Sequence, residues 1–443
     1  MRNFSAAKTC ELHVHVAGCL TEVDVVELAK DVYRDVDWTL FVDAYEATFN
    51  VRPNPVTLIG DVLADKPGGL TRLREHFLFT DADEGDFMRF KARFSLAYSV
   101  VDHLGKVNRA GDVIRRCLAH HRKEGVDFVE YRSSGGEGSW EGFHDFHYGQ
   151  IKELMTASED GMTARYMISL RRSDAMEDYE WVLRLMDDHP ETVSTIVGVD
   201  FCNVEEGFPP GNLRSFFGRI ARDNEQRPER PLDVVYHVGE SFFDKSLESA
   251  VRWCHEAAGL GAKRLGHAIA LGLDPAAAIV RRPDAHTTEL VSERLNQIAY
   301  DLEHSAKMSS YGVDVDGKAL VDEREALQKL SPDETVHRAY DEERLEDIRG
   351  RQGFVLDCLT EMGTVIESCP TSNLRIGGVP DPADHPVHRF LDSDVNLAIC
   401  ADDPGIFATS LADEVDWVRT HSGWETDDLE KRLGDPRRFQ LGS

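Results

Sequence analysis

The sequence predicts a (β/α)8 barrel, and three observations carry that expectation. Eight short apolar runs recur along 443 residues. Stretches with helical spacing lie between them. The residues with the most distinctive chemistry fall where the runs stop, the end at which such barrels keep their sites. The runs are nearly continuous rather than alternating, as parallel strands covered on both faces require.

The first run, Thr9 to His15, closes on Glu11-Leu12-His13-Val14-His15 before Ala17-Gly18. Side chains two apart in a strand share a face, so both imidazoles reach one place. Residues 20–125 then read as several helices, the last being Ala110 to Lys123. Val126 to Arg132 and Arg165 to Leu170 give the second and third strands. The helix Glu177 to Asp188 leads to the fourth strand, Ser194 to Phe201. Leu232 to His237 is the fifth, followed by Gly239-Glu240 and a helix from Lys245 to Ala258. Arg264 to His267 is the sixth. A second long, highly charged connection, 270–360, precedes Thr364 to Ser368 and Asn396 to Ala401, which ends in Asp402-Asp403-Pro404. Neither connection is a simple βα loop. The expectation is one domain over 1–443 with two helical insertions, 20–125 and 270–360. The second is expected on the mouth side of the barrel, as a lid or a subunit contact.

Composition bounds the partners. A formal net charge of -30 argues against nucleic acid or an acidic membrane surface held by bulk charge. Arg far outnumbers Lys and Asp outnumbers Glu, which reads as a halophilic surface whose self-repulsion salt screens. Eight scattered cysteines without a CxxC pair are expected reduced and mostly buried. With no apolar stretch ahead of the first strand and no 18-residue apolar run, neither a signal peptide nor a membrane span is expected. The default is a cytoplasmic protein; a homo-oligomer is compatible with the sequence.

Singly, each motif is weak: a His pair, a lone His267, or an Asp-Asp-Pro turn usually does nothing chemical. Together they place His13, His15, His237 and Asp402 at separate strand ends. That donor set suits zinc, which takes imidazole and carboxylate and leaves a position for water. Glu240 and His267 remain as proton carriers.

His13-Val14-His15-Val16-Ala17-Gly18, His237-Val238-Gly239-Glu240, Arg264-Leu265-Gly266-His267, Ser368-Cys369-Pro370-Thr371-Ser372-Asn373 and Asp402-Asp403-Pro404 come in a fixed order. In these pieces the chain closely resembles the adenosine deaminase family of the amidohydrolase superfamily. The resemblance implies one Zn2+ per chain on His13, His15, His237 and Asp402. It gives Glu240 the protonation of a purine ring nitrogen, His267 the orientation and deprotonation of the attacking water, and Asp403 the steering of that water and a purine contact. Gly239 and Asn203 would contact the substrate through the backbone. The implied reaction is hydrolytic deamination of a 6-aminopurine nucleoside, adenosine or a derivative. The alternatives are deamination of AMP or free adenine, or a non-catalytic purine-binding relative. The recognition half departs from the family. Ala17 stands where an Asp would hold a ribose 5′-hydroxyl, and Asn203 stands at a glycine position.

Three further features have two readings each. The loop Ser133-Ser134-Gly135-Gly136-Glu137-Gly138 is either a phosphate cradle or a plain turn. Arg171, counted with the substrate-binding candidates, and Arg172 meet either an anion or a salt bridge. Trp140, Phe143, Phe146, His147 and Tyr148 wall either a base pocket or a helix core.

Overall fold

The computed structural model describes residues 6–83, 85–136, 138–157, 161–281, 287–377, 379 and 381–442. Eight parallel strands follow one another in the sheet in chain order. They are β1 (Cys10–His15), β2 (Phe128–Ser133), β3 (Thr163–Ser169), β4 (Ile196–Phe201), β5 (Asp233–Val238), β6 (Ala262–His267), β9 (Val365–Ser368) and β10 (Asn396–Ile399). Closure is made just past β10, where Val14 bridges Asp402: His15 N–H donates to the Asp402 carbonyl at 3.0 Å and Asp402 N–H to the His13 carbonyl at 2.9 Å. The structure is the (β/α)8 barrel that the apolar runs predict, and two of the pieces that carry chemistry form its seam.

Strand ends shift by a residue or two for local reasons. Ser194 was read as strand but closes a 3-10 turn, Pro190–Ser194, started by a proline whose ring fixes φ. One element escaped the sequence: β7 (Thr288–Leu290) and β8 (Thr335–His337), a three-residue antiparallel pair inside 270–360. At three residues apiece they fall below the length at which alternation is readable.

Both long connections are largely helical, but they do different work. The first carries the helix Phe87–Lys106, whose start, with Leu40 and Ala44, lies over the mouth of the barrel. The second clamps the outer helix Leu247–Leu260: Glu293 accepts from the Trp253 indole at 3.0 Å, and Arg344 meets Glu248 at 2.7 Å. None of its described residues lines the mouth cavity, contrary to the mouth-side placement expected; residues of the first connection wall it instead. Among the described residues no helix is long and apolar enough to cross a membrane.

Candidate active site

Each of the seven reacting candidates is delivered by a strand end. β1 brings His13 and His15, β5 brings His237 and the turn after it Glu240, β6 ends in His267, and Asp402 and Asp403 follow β10. Several backbones there are left-handed: His267 at φ 66°, Asp402 at 63°, Asn203 at 73° and Gly239 at 67°. A left-handed histidine or aspartate is costly, and such strain persists where the surroundings over-determine it. Here it turns the side chains of His267 and Asp402 across the top of the barrel.

The first donor group converges. His13 Nε2 lies 3.1 Å from His237 Nε2 and 3.3 Å from Asp402 Oδ1, and His15 Nε2 lies 3.3 Å from the same oxygen. Each of the two facing imidazoles has its other nitrogen against a carboxylate. His13 Nδ1 meets Glu367 and His237 Nδ1 meets Asp200, both at 3.0 Å. A carboxylate accepts, so each Nδ1 carries the proton and each Nε2 presents a lone pair. Two lone pairs and an anionic oxygen within 3.3 Å repel one another unless a cation sits among them. Burial keeps the His15 and His237 imidazoles far below the usual histidine range, hence neutral and able to ligate. The residues therefore fit a divalent metal, with Glu367 and Asp200 orienting the ligands.

A buried ionic layer lies beneath. Glu367 pairs with Arg132 and, at 2.8 Å, with Arg264, which also bonds Glu130. Burial would raise the Glu367 carboxyl, but Arg132 and Arg264 outweigh it and hold it well below the ordinary range. Glu11 accepts from the backbone N–H groups of His13 at 2.8 Å and Ala401 at 3.1 Å, fastening the seam from inside.

The two candidate proton carriers sit beside the donors. His267 Nδ1 donates to Asn373 Oδ1 at 2.9 Å, which leaves Nε2 as the acceptor, 3.5 Å from Glu240 Oε1. Burial, then Asp402 and Glu205, push the Glu240 carboxyl well above its usual range. Glu205 accepts from the Glu240 N–H at 3.2 Å and fixes the turn. Asp403 is buried and its Oδ1 has no hydrogen-bond partner among the described residues. A β-carbon on Gly18 would lie 1.6 Å from that oxygen, so the glycine is what admits Asp403.

The cavity above this cluster measures about 460 Å³. Its apolar wall is Phe87, Phe90, Phe94 and Tyr98 of one helix, with Leu40, Met88 and Ile376. Those aromatics repeat at helical spacing, a signal available in the sequence but passed over. The cluster Trp140 to Tyr148 does not line the cavity: Phe143, Phe146 and His147 are buried in the helix Trp140–Ala157, where core packing claims them.

The substrate-binding candidates divide. Asn203 lines the cavity, its left-handed backbone consistent with a position that elsewhere takes glycine. Gly239 lies behind the wall, its β-position 3.0 Å from Cys254 Sγ, and serves the turn between His237 and Glu240. Arg171 is apart from the reacting cluster, with its guanidinium held at 2.5 Å by Asp178 and further by Asp174 and Glu177. In the glycine-rich loop, a β-carbon on Gly135 would strike Phe146 at 2.5 Å and one on Gly136 the Gly142 carbonyl at 2.5 Å. Close approach to the following helix accounts for those glycines; Glu137 lies outside the described residues.

A family model described as adenosine deaminase matches residues 48–297 and 299–433. The adenine deaminase of Rhizobium leguminosarum bv. trifolii (strain WSM2304) is 39% identical over 72 residues, 16% of this chain and 22% of that one. Alignments with the first such relatives thus span about a fifth of their length. Among solved structures, the Arabidopsis N6-mAMP deaminase superposes with a TM-score of 0.56 at 15% identity, covering 100% of this chain and 96% of that one. A zinc-bound amidohydrolase from Burkhoderia ambifaria gives 0.52 at 15% identity, covering 99% and 87%. At such identities the likeness concerns the fold.

Proposed function

From the premise that this chain belongs to the adenosine deaminase family, we propose that it is a zinc-dependent hydrolase that removes the amine from a 6-aminopurine, adenosine or a derivative. One observation carries the reading: the proton-free faces of His13 and His237 meet Asp402 next to a buried carboxyl, Glu240, and an imidazole whose Nε2 faces it. The name of the zinc-bound relative supports the choice of metal, and the adenine and N6-mAMP deaminases support the purine class. A purine-binding relative without activity would have no use for Glu240, His267 and Asp402 at once.

His13, His15, His237 and Asp402 would hold the ion, which would supply Lewis acidity that brings the pKa of a water towards about 7. His267 Nε2, its tautomer set by Asn373, takes the proton of the attacking water. Glu240 gives its proton to the ring nitrogen beside the amine-bearing carbon, so that this carbon accepts the water oxygen. The C–N bond then breaks as His267 passes the water's proton to the amine, which leaves as ammonia; the hydroxyl proton returns to Glu240, and the carbonyl product keeps the proton on its ring nitrogen. Asp403 steers the water and contacts the purine. The aromatic wall from Phe87 to Tyr98 shields the reacting groups from bulk water, strengthening every polar contact inside. Each positioned acid or base contributes roughly 10²- to 10⁴-fold.

The test is the variant Glu240→Gln. It should keep one metal per chain and lose ammonia release, because an amide cannot hand over the proton. Undiminished turnover in that variant would refute the assignment.

A further inference from the structure

Beside the reacting cavity lies a second one, of about 300 Å³, walled by Lys91, Ser134, Ser169, Arg171, Arg172 and Ser173 with parts of the loop after β4. The two cavities share Lys91, Ser134, Cys202 and Asn203 as walls, so one ligand can lie across both. We propose that this side cavity is an anion subsite and that the substrate is an aminopurine nucleoside carrying a phosphate monoester.

Its charges carry the argument. In a chain with thirty excess acids, cations without a carboxylate are conspicuous. Arg171 is neutralised by its neighbours, but Lys91 and Arg172 have no carboxylate within ion-pair distance among the described residues. Lys91 Nζ donates to Asn203 Oδ1 at 3.1 Å, which holds the ammonium at the junction of the cavities. Arg172 is 8% exposed. Its Nη2 donates to the carbonyls of Phe201 at 2.9 Å and His237 at 2.7 Å, and its guanidinium lies 4.6 Å over the Tyr236 ring, with Nε and Nη1 shielded and making no hydrogen bond. A buried guanidinium with no carboxylate paired to it leaves positive charge beneath this cavity, which favours an anion there. The Ser134 hydroxyl adds a donor that suits the same group, whereas Ser169 and Ser173 donate to Asp200 and Asp174.

Shape agrees with charge. The cavity over the donor cluster is large enough for a nucleoside by itself, which leaves the side cavity for a further group. Acid and imidazole crowd one end of the joint space, and cations line the other. A ligand with an amidine-like ring edge and a distant anion has that polarity.

This inference rests on the deaminase reading for its aminopurine, so the test measures binding separately from turnover. AMP, adenosine and adenine are titrated calorimetrically into the full-length metal-free protein, and ammonia release is assayed on the metal-loaded protein. AMP is expected to bind at least about tenfold tighter than adenosine, the lower end for a hydrogen bond to a charged group. Lys91→Met should bring that ratio to within about twofold of unity. Ser173→Glu, at an exposed position where folding is not threatened, should do the same by placing a carboxylate at the rim. Adenosine binding as tightly as AMP, or a ratio that survives both variants, would overturn the subsite. Selective AMP binding without ammonia release from any aminopurine would overturn the deaminase reading and leave the subsite standing. Ammonia release from adenosine with no preference for AMP would do the reverse.

Discussion

Glu367→Gln probes the layer that sets up the metal ligands. Glu367 is wholly buried: one oxygen accepts from His13 Nδ1 at 3.0 Å and from Arg132, and the other makes an ion pair with Arg264 at 2.8 Å. A glutamine keeps the shape but offers one acceptor oxygen and a donating NH2. Whichever way it turns, at least one donor faces another donor, and two buried guanidiniums lose a shared counter-charge. Removing one partner of a buried pair costs about 3–5 kcal/mol. At roughly 2.1 cal/mol/K per residue, the 443-residue chain has an unfolding entropy of about 0.9 kcal/mol/K, so the Tm should fall by about 3–5 °C. Because Glu367 also fixes the proton on His13 Nδ1, metal affinity should drop about 10- to 100-fold. Calorimetric melting with and without metal, and metal titration by competition with a chelator, read both effects. A Tm within a degree of the parent together with unchanged metal affinity would refute the argument that Glu367 orients His13.

Three other perturbations have definite outcomes. Gly18→Ala puts a carbon 1.6 Å from Asp403 Oδ1, and displacement of that carboxylate should lower kcat/KM by about a hundredfold in steady-state assays. Glu248 is buried, and although burial alone would raise its carboxyl, Arg344 and then Arg338 bring it down to about 2. A depressed folded pKa contributes stability that is present above the unfolded value near 4.3 and lost as pH falls towards about 2. Melts between pH 5 and 2 should therefore lose on the order of 3 kcal/mol from this group, and Glu248→Gln should flatten that part of the profile. The net charge of -30 should make the melting temperature climb with KCl into the molar range, and a flat salt profile would remove the halophilic reading.

The barrel is legible because the strands are short, mostly apolar runs, and those carrying the reacting residues end at or close to a His or an Asp. Two features of the reacting cluster come straight from chain order: His13 and His15 share a strand face, and Asp402 ends the strand that closes against them. The ionic layer was harder to see, although Glu130, Arg132, Asp200, Arg264 and Glu367 each stand inside an otherwise apolar strand. A charge in a strand covered outside by helices must point inward, but which charges meet depends on register across four or five strands. The pairing of Asn373 with His267, 106 residues away, is hidden for the same reason, although its motif stands out in the sequence. The aromatic wall could not be assigned from sequence because two helices carry aromatics at helical spacing. Only the path of the first insertion decides that Phe87 to Tyr98 face the cavity while Phe143 and Phe146 face the core.

The most direct test of the central claim is ammonia release, measured with metal content on the same preparation, across adenine, adenosine, AMP and N6-substituted nucleosides. The account predicts one divalent ion per chain, one ammonia or alkylamine released per purine converted, and loss of both metal and turnover in His237→Ala. A preparation carrying one ion per chain that releases no amine from any 6-aminopurine would contradict it.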